Sequence, residues 1–166
     1  MMTDNGLQRK VKYEIAKDFR TLVTKLEADL KNIADGEIVF AGTEENPILT
    51  NHEQLPINHF FMDGVYIREM TMRPGLAIIG AIHKHLHMCF LVKGHVSVAN
   101  ENETVDYVAP CYIISTPGIK RVLYAHEESV WYNVHKNPTA TEDVSQIEKD
   151  VVALTYEEYE EYIKNK

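Results

Sequence analysis

Gly80-Ala-Ile-His83-Lys-His85-Leu-His87-Met-Cys-Phe-Leu-Val-Lys-Gly94 places three of the chain's eight histidines at a spacing of two inside an otherwise apolar run. Residues two apart on an extended strand point to the same face. Burying imidazoles without partners is costly, so a buried strand with three of them needs a compensating group. Convergent imidazoles are what divalent metal sites are built from, and zinc, iron, manganese or nickel suits two or three of them. The missing Cys pair argues against a structural thiolate zinc site. The stretch therefore predicts strand structure lining a pocket.

The surrounding chain has the same character. From Glu37 to His135, short runs rich in Val, Ile, Tyr and Phe alternate with turn signals such as Met62-Asp-Gly64, Arg73-Pro-Gly75, Asn100-Glu-Asn102 and Thr116-Pro-Gly118. Strands are predicted over 37–41, 57–62, 65–72, 76–83, 86–92, 95–99, 104–108, 111–115, 120–124 and 129–135, with a loop over 42–56. Close spacing without an intervening helical pattern predicts an antiparallel sandwich or barrel.

Helices are predicted at both ends. Ile15, Phe19, Leu22, Leu26, Leu30 and Ile33 recur at steps of three and four, predicting an amphipathic helix over 8–33 that Gly36 terminates. Such a stripe must pack on the domain or on the same helix of a second subunit. After His135, Asn137-Pro138 breaks the strand, Thr141 caps a short helix over 142–150, and Thr155-Tyr-Glu-Glu158 is a capping-box pattern opening a final helix. The division is a helical extension over 1–36, a β-barrel over 37–136 and a helical tail over 137–166.

With 166 residues the chain has room for one domain with a real core. Its 17 basic and 25 acidic residues give a net charge of −8, which argues against a nucleic-acid polymer as partner. No apolar run approaches the roughly 18 residues of a membrane span. Met1-Met-Thr-Asp-Asn-Gly lacks the order of a signal peptide, and Cys89 and Cys111 read as small core residues, so a cytoplasmic location is expected.

The layout resembles the cupin superfamily, RmlC-like jelly rolls whose first motif is two His one residue apart, then Glu, then Gly six residues on. Their second motif is Pro-x-Gly-x-x-His. Anchored on Gly94, the Glu position falls on His87 and the two His positions on Ala81 and His83. The second motif falls on Thr116-Pro-Gly118-Ile-Lys-Arg121, with Arg121 in place of the usual His. The resemblance covers residues 65 to 135. The chain is also similar to uncharacterised phage-encoded cupin-like proteins, through Ile82-His83 to His87, Lys93-Gly94, Ala109-Pro110, Pro117-Gly-Ile-Lys-Arg121, Trp131 to His135, and the tail from Thr141 to Glu148. That likeness implies no settled activity. It implies the host cytoplasm as location, and the dimer habit of cupins implies a homodimer.

The resemblance implies a mainly β fold: a single cupin-type antiparallel β-barrel (jelly roll) with an N-terminal amphipathic helix and short C-terminal helices. Candidate metal ligands are His83, His85, His87 and His135. A sharp turn at Lys84-His85, as in a cupin hairpin, would point His85 to solvent. Ala81 cannot coordinate, and Arg121 repels a cation at close range. Lys120 and Arg121 are candidate anion ligands, since a guanidinium inside a barrel needs an anionic partner or a structural salt bridge. Trp131 either stacks on a flat ligand or is plain core.

Two functions stay open. In one, a small-molecule-binding barrel holds a divalent metal on its histidines while Arg121 orients a small anionic molecule. In the other, a metal-free, non-enzymatic protein senses or sequesters such an anion, for example a nucleotide, as a phage counter-defence. A structural module is the third. No nucleophilic triad or glycine-rich phosphate loop is recognised.

Overall fold

The computed structural model describes residues 17–29 and 55–166. Helix α1 covers 17–29, and eleven strands follow: β1 (Ile57–Met62), β2 (Gly64–Met72), β3 (Ala77–Ile79), β4 (Ile82–His83), β5 (His87–Lys93), β6 (His95–Ala99), β7 (Thr104–Val108), β8 (Cys111–Ser115), β9 (Val122–Ala125), β10 (Ser129–Asn137) and β11 (Val152–Ala153). Helix α2 (Val144–Val151) precedes β11, and α3 (Tyr156–Lys164) follows it. The predicted strand 37–41 and most of the predicted loop lie outside the described residues.

The fold is mainly β and antiparallel, as the sequence leads one to expect. One sheet has the order β1-β2-β10-β5-β8, the other β3-β9-β6-β7, and β4 pairs with β11 in a third, two-stranded sheet. The alternation of inward and outward residues places the core between the two large sheets. Met70, Met72, Leu91 and Trp131 from the first meet Ile78, Val96, Val98 and Leu123 from the second in one buried cluster.

Register then divides the inner face of the five-stranded sheet. Along β2 the inward residues are Tyr66, Arg68, Met70 and Met72; along β10 they are Trp131, Asn133, His135 and Asn137. Trp131 pairs with Met70, Asn133 with Arg68 and His135 with Tyr66. On the other side of β10, Asn133 pairs with Cys89, and His87 pairs with Ser115 on β8. One half of this face is therefore apolar and the other carries Arg68, His87, Asn133, His135 and Ser115.

Several expectations are corrected. The predicted strand 76–83 breaks at Gly80-Ala81, because β3 pairs with β9 whereas β4 turns away to pair with β11. The strand expected over 120–124 starts at Val122, so Lys120 and Arg121 precede it. Strand β10 continues to Asn137, and β11 brings the tail back beside His83 through the Val152–His83 register. Asp143, rather than Thr141, caps α2, accepting from the Ser145 and Gln146 amides; Thr141 accepts from the amide of Asp143. Thr155 caps α3 as its pattern predicts, while the Glu158 carboxylate accepts from the Leu154 amide.

Of the predicted helix, 8–16 and 30–33 lie outside the described residues, with Ile15, Leu30, Ile33 and the Gly36 terminator; over the described part, α1 turns Val23 inward rather than Leu22 and Leu26. Leu22 is 66% and Leu26 41% exposed, whereas Val23 is buried. Arg20, Val23 and Glu27 share one side at steps of three and four. Arg20 Nε bonds Glu101 at 2.8 Å and its guanidinium lies 4.5 Å from the Tyr156 ring centre, while Glu27 is ion-paired with Lys120. Polar anchors at both ends of that side decide which face packs.

Gly94, between β5 and β6, has φ +93°, and a Cβ there would lie 2.6 Å from the Glu128 carbonyl oxygen and closer still to Ser129 Oγ. Gly64 has φ +76° with nothing within 4 Å of such a Cβ. We expect Gly64→Ala to cost about 1 kcal/mol, the left-handed strain alone. Gly94→Ala should cost about 3 kcal/mol or more, with steric overlap added. Urea midpoints of the two variants compare them directly, and equal losses would remove the overlap argument.

Candidate functional site

Three elements deliver three imidazoles to one point. His83 ends β4, His87 opens β5 after the Lys84-His85-Leu86 turn, and His135 lies near the end of β10. Their ring centres are 4.1 Å apart for His83 and His87, 4.5 Å for His87 and His135, and 5.1 Å for His83 and His135. One ring nitrogen from each lies within 4.8 Å of the other two. His87 Nδ1 is 3.2 Å from the His85 carbonyl oxygen, to which the ring donates as the Nδ1–H tautomer, so that Nε2, 3.5 Å from Cys89 Sγ, carries the lone pair. The Nε2 atoms of His83 and His135 are occluded and have no hydrogen-bond partner.

His85 stands apart from this group. It occupies the turn, and its Nε2 is 3.0 Å from the Asp150 carbonyl oxygen. The spacing of two that made three equivalent ligands attractive fails because the strand does not run straight through Lys84.

Burial holds the three imidazoles neutral. It pushes His83 and His135 well below the usual imidazole range, each reinforced by its histidine neighbours and by Arg68. Burial likewise lowers His87 to about 4, with Arg121 and Arg68 adding to the effect. Neutral imidazole is the ligating form. Beside the trio, Cys89 Sγ lies 3.5 Å from His87 Nε2, and burial raises this thiol to about 11.

A cavity of about 70 Å³ adjoins His83 and is lined by Arg68, Arg121, Trp131, Asn133 and Glu148. Arg121 Nη1 donates to Ser115 Oγ at 2.6 Å, and among the described residues no carboxylate lies within ion-pairing distance of it. Lys120 is buried and already ion-paired with Glu27 on α1, so it does not offer an anion a free charge. Trp131 is core: its Nε1 donates to Asn133 Oδ1 at 3.2 Å, and the ring forms part of the cavity wall.

Two charged residues of the cavity were not singled out by sequence reasoning. Arg68 on β2 and Glu148 on α2 form a buried ion pair. The signal for Arg68 was its parity with Tyr66, Met70 and Met72, which marks it as inward. Glu148 follows Ile147 on a helix whose buried side is Ile147, Glu148 and Val151. Its position next to an apolar anchor was visible, but its partner 80 residues earlier was not.

No protein-family model matches the chain, and no curated protein matches it. Among solved structures it is similar to an RmlC-like cupin from Shewanella frigidimarina, with a TM-score of 0.47 and 11% identity over 57% of this chain and 84% of that one. It is similar to a cupin 2 conserved barrel domain protein from Salinispora arenicola, with a TM-score of 0.46 and 13% identity over 60% and 88% of the two chains. A third is an acetylacetone dioxygenase from Acinetobacter johnsonii, with a TM-score of 0.43 and 17% identity over 49% and 59%. Likenesses of this size concern the arrangement of strands alone.

Two outcomes are expected. Each site imidazole binds its proton more weakly folded than unfolded. Above about pH 6.5 both states are neutral and stability is complete. As the pH falls below that, the unfolded chain takes up protons the folded chain refuses, and stability is lost, for His87 progressively down to about 4. In chelator, the thermal midpoint should therefore fall steadily from pH 7 to pH 5; a flat profile would show that the imidazoles are not held neutral. Glu148→Gln leaves Arg68 buried and unpaired and should cost about 3 kcal/mol in urea unfolding. A loss below about 1 kcal/mol, the range of an exposed pair, would mean that water reaches this one.

Proposed function

We propose that His83, His87 and His135 hold a divalent transition metal and that Arg121 orients a small anionic ligand beside it. The observation that carries this reading is the pair of occluded, unpartnered Nε2 atoms on His83 and His135, facing a third neutral imidazole. Buried polar atoms without partners are rare, because each forfeits its hydrogen bond to water. A cation accepting three nitrogen lone pairs removes that cost, and zinc, iron, manganese or nickel matches the donors. Such a metal supplies Lewis acidity and an anchor for an oxygen ligand.

The chain's own groups define what binds next to it. Arg121 keeps N–H donors beyond the one given to Ser115, and no carboxylate pairs with it among the described residues. A cation and an unpaired guanidinium in one buried corner repel each other, and an anion between them compensates both. Carboxylate or phosphate oxygens suit the planar fork. Met70, Ile78, Leu123 and Trp131 also line the cavity and make part of its wall apolar. About 70 Å³ is well below the roughly 300–1,000 Å³ of drug-sized ligand sites, so the ligand is a small acid rather than a nucleotide.

Elemental analysis of freshly purified protein, followed by calorimetric titration of chelator-stripped protein with Zn²⁺ or Mn²⁺, tests this. One tightly bound equivalent should disappear in His83→Ala/His87→Ala. Arg121→Ala should retain the metal and weaken binding of acetate, oxalate or phosphate about 10- to 100-fold, the loss of a charged hydrogen bond. Anion binding that needs Arg121 in a protein that never takes up metal would favour the metal-free clasp instead.

A further inference from the structure

The outer face of the four-stranded sheet carries a second convergence of ligand types. Along β6, Val96 and Val98 enter the core, so His95 and Ser97 point outward. Asp106 on β7 is the register partner of Ser97. His126 follows β9, and its amide donates to the His95 carbonyl at 2.9 Å, which sets the two rings side by side. The rings stack with centres 4.2 Å apart, and one ligand atom from each of His95, Asp106 and His126 lies within 4.8 Å of the other two. The antiparallel ladder fixes this arrangement, because His95 and Asp106 lie on paired strands and His126 directly follows the strand on the other side of β6.

The hydrogen bonds do not use up the donor set. Ser97 Oγ lies 2.6 Å from His126 Nε2 and also hydrogen-bonds Asp106. His95 Nε2 is occluded and has no partner, an orphaned lone pair or N–H beside an acid and a second imidazole. A nucleophilic reading of Ser97 fails on geometry. The carboxylate bonds the serine itself, and its distance to the same His126 Nε2 is 4.0 Å, so it does not orient the ring from the far nitrogen.

We propose that His95, Asp106 and His126 form a second metal site, on the surface and separate from the histidine trio inside the barrel. Two imidazoles and one carboxylate suit a borderline divalent cation such as Zn²⁺, Cu²⁺ or Ni²⁺, not the all-oxygen preference of Ca²⁺ or Mg²⁺. The exposure of Asp106 and His126 leaves the remaining coordination positions to water. Ser97 keeps the carboxylate aimed at the ring, and binding exchanges the hydroxyl bridge for the cation.

The test is calorimetric titration of the untagged, chelator-stripped full chain with Zn²⁺. The outer variant His95→Ala/His126→Ala removes only outward-facing side chains and should bind one equivalent fewer than the wild type, whether or not the inner trio takes metal. The inner variant His83→Ala/His87→Ala should keep the equivalent that the outer variant loses. Asp106→Asn should weaken that equivalent at least tenfold. With Co²⁺ as probe, the visible absorption assigned to this equivalent should vanish in the outer variant. Equal Zn²⁺ stoichiometry and affinity in wild type and outer variant would overturn the site, even if the inner variant does not fold.

Discussion

Withdrawal of three imidazoles from water at one corner of the barrel is the constraint around which this structure is arranged. It fixes their charge state, since a charged imidazole there would pay both desolvation and repulsion from its neighbours and from Arg68. It also sets what else the corner must contain. Arg68 is neutralised by Glu148, Lys120 by Glu27, and the one cation with no carboxylate in pairing distance among the described residues of this cavity is Arg121. The cation proposed at the nitrogens and the anion proposed at the guanidinium would each offset what the corner leaves uncompensated.

The sheet makes this affordable by dividing its inner face. Met70, Met72, Leu91 and Trp131 bury apolar area against the second sheet, at roughly 25 cal/mol per Å² removed from water. Two or four residues along the same strands, Arg68, Asn133 and His135 occupy positions of identical parity. A one-residue slip in β10 would expose Trp131 and His135 together, so the register that builds the core also builds the site.

The strands were legible because turn residues punctuate them and their alternation is regular. Strands β1, β6, β7 and β8 have the predicted bounds. The meeting of His83 and His87 was legible from the hairpin that the resemblance implies. What local pattern could not convey was pairing across long sequence distance. Nothing near Lys120 announces Glu27, and nothing near Arg68 announces Glu148. The helix face was misjudged for the same reason: periodicity ranks Leu22 above Val23, but Arg20 and Glu27 decide the packing through partners far along the chain. The outer His95–Asp106–His126 group is not legible locally, because two strands and the turn after a third supply it.

The pairing of β11 with β4 ties the access to the corner to the C-terminal segment. Val152 meets His83 and Glu148 meets Arg68, so α2 and β11 lie directly against the imidazole corner. A group bound at the corner would stabilise this segment together with itself, because the two would share the same contacts.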